Sequence, residues 1–162
     1  MPRPELSSPA PAAGDAPPWQ WLLVASRAGT AVLCVAIVLG AAWPDRAGTA
    51  AQAVALALFG AGSLAFGRAY AVAVRRSRAE QLSTMAAFIG MPGAPRSVRT
   101  ELRLAAGLQF AAGLTGAAVR PFGPLAFGIL AGVYGLGVIA LWGAGHGDFP
   151  SRPPHTARRR DG

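Results

Sequence analysis

Long apolar blocks, not short alternations, organise this chain. The first runs from about Trp21 to Trp43 and is closed by Pro44-Asp45. The second covers about Thr49 to Val74, a third becomes fully apolar from Leu104 to Val119, and a fourth covers about Phe122 to Trp142. A membrane-crossing helix needs about 20 apolar residues. The pattern therefore predicts an all-α, polytopic membrane protein: a four-transmembrane-helix bundle with spans at about 21–43, 49–74, 102–119 and 122–142. The second span is longer than a bilayer core requires, so tilt or extension beyond the membrane is expected. Sixteen residues at 1.5 Å each cover only about 24 Å of a 30 Å core, so the third span needs snorkelling ends, for which Arg103 and Arg120 are placed.

The segments between the blocks complete the organisation. Residues 1–18 are rich in Pro, Ala and Ser and read as a disordered tail. Trp19 and Trp21 mark a membrane interface, and the membrane domain runs over 19–145. Residues 44–48 make a short loop. The longest connection, 75–103, contains a predicted amphipathic helix over Ala79 to Gly90, with Leu82, Met85, Ala86 and Ile89 on one face, lying along the membrane surface or under the bundle. Pro92 to Pro95 ends it, and Pro95 suits the first residue of the next helix. Arg120-Pro121-Phe122-Gly123-Pro124 is a tight turn, and 146–162 form a basic, disordered C-terminal tail. A rival reading takes the first block as a signal peptide, with a small-residue site at Ala51-Gln52-Ala53; the long leader and the length of the block argue against it.

Composition agrees with lipid as the solvent. Of 162 residues, 52% are hydrophobic and 14% charged, against roughly 25% charged in soluble domains. The net charge of +8 comes from 15 basic residues, all of them arginine, and on its own would suggest a nucleic-acid binder. No aromatic residues interleave with a basic surface to stack bases, and placement explains the arginines better. Eleven of the fifteen lie in the two tails and the central loop, whereas only Arg46 and Arg120 fall in the opposite connections. The positive-inside rule then predicts that both termini are cytoplasmic. Arg120 is the arginine that rule leaves unexplained.

Chemistry is sparse. Arg27 and Arg68 sit inside apolar blocks about one and a half turns from the cytoplasmic side. They read as snorkelling side chains, with a shared anionic lipid headgroup as the alternative. Arg75, Arg76 and Arg78 are candidate anionic-lipid contacts. Gln109 and Thr115 are candidate interhelix polar contacts in the third span. Alanines at 53, 57, 61, 65, 69 and 73 form a ribbon, with Ala57, Ala61 and Ala65 at its centre, and Gly128 and Gly132 form a GxxxG pair; both are candidate packing surfaces. The single cysteine, Cys34, reads as a small apolar core residue.

All seven acidic residues lie outside the apolar cores. His146, His155 and Asp148 are weak metal ligands on a tail. No catalytic, cofactor or metal site is assembled, so none is expected. A non-enzymatic accessory, structural or regulatory membrane partner is the leading expectation, acting through helix packing and a basic cytoplasmic face. Its partners are the bilayer, anionic lipids and a further protein or a second copy, with no nucleic acid. The alternatives are a subunit of a small oligomeric transporter or channel, and then a lipid-modifying membrane enzyme.

Ala94-Pro95-Arg96, Val98-Arg99, Gln109, Arg120-Pro121-Phe122, Leu125-Ala126-Phe127-Gly128, Tyr134-Gly135-Leu136, Leu141-Trp142-Gly143, His146-Gly147 and Phe149-Pro150 together resemble small four-span integral membrane proteins of actinobacteria that have no assigned activity. The likeness covers roughly residues 80 to 150. It implies a multi-pass plasma-membrane protein and brings no substrate or catalytic residue, but it singles out Arg120, Gln109 and Trp142 to Pro150.

Overall fold

The computed structural model describes residues 17–78, 80 and 89–151. Four helices long and apolar enough to cross a membrane make up the fold, an all-α bundle with no strand among the described residues. Helix α1 is Gln20–Ala42, α2 is Pro44–Arg76 and α3 is Arg96–Val119. The fourth crossing begins as a 3-10 helix, Pro124–Ala131, and continues as α4, Gly132–His146. The chain is thus a multi-pass membrane protein.

Helix boundaries follow from local chemistry. The loop expected at 44–48 is absent, because Pro44 occupies the first turn of α2, where its missing N–H costs nothing. Trp43 alone makes the reversal, its N–H bonded to Leu39 O and its carbonyl accepting Ala47 N–H. At 33 residues α2 reaches about 50 Å, more than a bilayer core. Helix α3 is continuous from Arg96, with Pro95 just outside it as the N-cap residue rather than the first helical one. Helix α4 runs on to His146, four residues beyond the expected end of the span. Residues 79 and 81–88 of the amphipathic helix expected over Ala79 to Gly90, and residues 1–16 and 152–162 of the tails expected at 1–18 and 146–162, lie outside the described residues.

Around the bundle the order is α1, α2, the fourth crossing, α3, with α2 and α3 at opposite corners. The fourth crossing is the most buried of the four. Its 3-10 half explains how. With three residues per turn, side chains at i and i+3 eclipse, so Leu125, Gly128 and Ala131 form one inward line, and these are its buried residues.

Small residues then let backbones touch. A methyl group on Gly128 would stand 3.2 Å from the Gly113 Cα of α3, and one on Gly137 would meet the Gly62 carbonyl of α2. In lipid there is no hydrophobic drive between helices, so this close van der Waals packing is what holds them.

Of the six alanines in the ribbon, Ala69 alone is fully buried. At 3.6 residues per turn a four-residue step drifts about 40° around the helix, so a ribbon at every fourth position cannot stay on one face. Ala53, Ala57 and Ala61 are exposed and Ala65 is half-buried. The packed face of α2 is instead Gly48, Ala51, Ala55, Gly62 and Ala69, at spacings of three, four and seven. Ala51, part of the cleavage site considered above, is buried against Gly40 inside this helix pair.

Candidate functional site

Helix starts at 20 and 96 and helix ends at 76 and 146 lie at one end of the bundle, with the short turns at the other. Most of the polar chemistry collects at this arginine-rich end. Arg76, on the last turn of α2, turns inward rather than toward lipid. Its guanidinium donates to Ala144 O and Gly147 O, both at 2.9 Å, and pairs with Glu80 at 2.9 Å. It also stands 5.3 Å from the Phe149 ring centroid. The last carbonyls of a helix lack internal partners and carry the negative end of its dipole, so a cation there satisfies both. Arg76 is therefore a clamp from α2 onto the end of α4, a role its position in an arginine run conceals.

The segment that follows α4 is held from the other side as well. Asp148 N–H donates to Pro92 O at 3.1 Å. Gly93 has φ of +77°, and a side chain there would collide with the Asp148 carboxylate. Met91, with φ of 46°, is fully buried, and Arg99 donates long hydrogen bonds to Met91 O (3.4 Å) and Ala94 O (3.3 Å). A left-handed methionine costs roughly 1–2 kcal/mol. Its side chain offsets this in a core of Leu22, Val98, Leu102 and Trp142. Trp142 and His146 stack with centroids 5.8 Å apart. Arg99 Nε, Trp142 Nε1 and His146 Nδ1 are buried without a hydrogen-bond partner among the described residues. Among the described residues no group of three candidate ligands could hold a metal ion, and His155 lies outside them.

Arg27 is held in an ion pair rather than left as a free snorkelling residue. It donates from Nε and Nη2 to the two carboxylate oxygens of Glu101, at 2.6 and 2.8 Å, joining α1 to α3. Sequence placement of Glu101 in a polar loop hid this partner, because α3 starts early enough to carry it. Arg68, Arg75 and Arg78 are exposed, and Arg75 makes only a 3.4 Å contact to Ala71 O on its own helix. Arg120 is also exposed, at the C-cap of α3, where its backbone carbonyl accepts Gly123 N–H and shapes the turn.

Mid-bundle lies one internal polar relay. Gln109 Nε2 donates to Thr30 Oγ1 at 2.8 Å, and that hydroxyl donates to Ser26 O at 2.8 Å. All three residues are buried, between one apolar cluster built on Leu22 and Trp142 and another on Leu33 and Leu125. Gln109 Oε1 has no donor among the described residues; it faces Gly135, where a side chain would stand 2.8 Å away. Thr115 does not join this relay. Its hydroxyl donates to Ala111 O of its own helix and the residue is exposed, because six residues beyond Gln109 lies about 120° away around the helix. Gly128 and Gly132 both face α3, the latter against the Phe110 ring, so the GxxxG pair packs within the chain. Cys34 is only half-buried.

No protein-family model matches this chain, no curated protein matches it, and no solved structure matches its fold.

Proposed function

We propose that this protein is a non-enzymatic accessory or regulatory component of the plasma membrane, with both termini cytoplasmic, acting through its arginine-rich end on a protein partner. The observation that carries the reading is the contrast between a filled interior and an unspent surface charge. Helices meet backbone to backbone at Gly62 with Gly137 and at Gly113 with Gly128, and the interior amide is bonded within the bundle. By contrast Arg68, Arg78, Arg96 and Arg103 are exposed at or toward one end. Eleven arginines on that side against two on the other support the cytoplasmic orientation.

Mild-detergent extraction followed by crosslinking and mass spectrometry tests the reading. The expected result is one stoichiometric membrane or peripheral protein, lost when Arg75, Arg78 and Arg103 are changed together to Gln. Recovery of the chain alone, with solute flux across reconstituted vesicles that falls on Gln109→Leu, would replace it with transport.

A further inference from the structure

A groove of about 790 Å³ opens on the outside of the bundle between α1 and α3. That volume falls within the range of small-molecule sites, about 300–1,000 Å³. Its two ends differ in chemistry. Arg27, Arg96 and Thr100 stand at the arginine-rich end, and Cys34, Leu104 and Leu108 line the part that descends along the membrane-spanning helices. From Thr100 to Leu108 the trough runs about 12 Å at 1.5 Å per residue. Leu104 and Leu108 are 68% and 52% exposed, so this wall is open to whatever occupies the groove.

We infer that this groove is a binding site for one anionic glycerophospholipid, with its phosphate at Arg96 and Arg27 and an acyl chain along the trough. Charge selects the occupant. The Arg27–Glu101 pair is neutral as a unit, and Arg96 has no ion-pair partner among the described residues, so the rim carries one net positive charge against one phosphodiester. Pairing does not exhaust Arg27. A guanidinium has five N–H groups, and the side-on contact with Glu101 uses Nε–H and one Nη2–H. Three donors remain on a side chain that is 67% exposed, and Thr100 lines the same groove. Glu101 thus balances the guanidinium's charge while fixing it in place with those donors unspent, and the pair ties α1 to α3 beside the groove. A neutral lipid or a soluble anion would match only one half of this surface; an anionic phospholipid matches the charged rim and the apolar trough together. The inference rests on the helices crossing a bilayer and not on the accessory role proposed above.

Cys34 supplies a native reporter, being the chain's one cysteine. The purified full chain in neutral detergent is alkylated with a small maleimide in the presence of phosphatidylglycerol or phosphatidylcholine at equal mole fraction. Phosphatidylglycerol is expected to slow the reaction about five-fold more than phosphatidylcholine, the worth of one arginine near an anionic surface. Arg96→Glu, an exposed first-turn residue whose change leaves the core untouched, is expected to abolish the preference, and Arg96→Lys to keep it. Arg68→Glu, outside the groove, is expected to leave it unchanged. Equal protection by the two lipids overturns the inference. So does a preference that survives Arg96→Glu, or one lost equally with Arg68→Glu.

Discussion

Adding one methyl group at Gly62 tests the packing most sharply. A Cβ there would lie 2.5 Å from Tyr134 Cα, 2.6 Å from Tyr134 N and 2.7 Å from Val133 C. Carbon atoms attract best at about 3.5–4.0 Å, so α2 and the fourth crossing must part by about 1 Å. Every obstructing atom is backbone, and no side-chain rotation relieves the clash. Overpacking costs typically 1–3 kcal/mol, and because parting also loosens the Ala69, Ala140 and Ala144 contacts, we expect about 3 kcal/mol for Gly62→Ala. Gly60 is the control: two residues away on the same helix, it has nothing within 4 Å of the added methyl. Its alanine variant is expected to be neutral or slightly stabilising, since alanine is the better helix former by about 1 kcal/mol in water. Reversible unfolding in mixed micelles, followed by tryptophan fluorescence as the fraction of denaturing detergent rises, measures both. If Gly62→Ala and Gly60→Ala unfold at the same midpoint, the helices do not meet as described.

Further expectations follow from the same geometry. Ala55→Leu, at a fully buried position, should destabilise by about 1–3 kcal/mol, whereas Ala61→Leu on the exposed face should stay within about 0.5 kcal/mol; equal effects would restore the alanine ribbon as the packing face. Thr30→Val removes the acceptor of the buried Gln109 amide and should cost about 1 kcal/mol. Gln109→Leu removes donor and unsatisfied oxygen together and should change stability by less than that; a larger loss for Gln109→Leu would mean that Oε1 has a partner in the membrane. Arg76→Met should leave the bundle folded while limited proteolysis of the segment after His146 accelerates, because its holds on Ala144 O and Gly147 O are gone. Cleavage at the wild-type rate would contradict the clamp.

The number and approximate limits of the spans were legible in the sequence because lipid demands long, unbroken apolar helices, and little else satisfies that demand. Which face of each helix packs was not. The alanines of α2 recur at a four-residue step that looks like a stripe but winds around the helix, while the true face is written in Gly48, Ala51, Ala55 and Gly62 at mixed spacings. The 3-10 geometry after Pro124 was equally invisible, since Leu125, Gly128 and Ala131 reveal a three-residue period only once the helix type is known.

Among polar residues, Gln109 stood out because an amide in an apolar run needs a partner. The partner of Arg27 was hidden 74 residues away in a stretch that read as loop. Arg76 was hidden by its neighbours: one arginine of three turns inward, and composition does not say which.

The partner reading depends on which side of the membrane holds the arginine-rich end, and that is directly measurable. With Cys34 changed to Ala, single cysteines are introduced as Phe122→Cys in the fully exposed turn and Ser151→Cys after α4, and intact cells are treated with a membrane-impermeant maleimide. The account predicts that the cysteine at 122 is labelled from outside and the one at 151 only after the membrane is permeabilised. Labelling of 151 and protection of 122 in intact cells would invert the molecule and contradict the account.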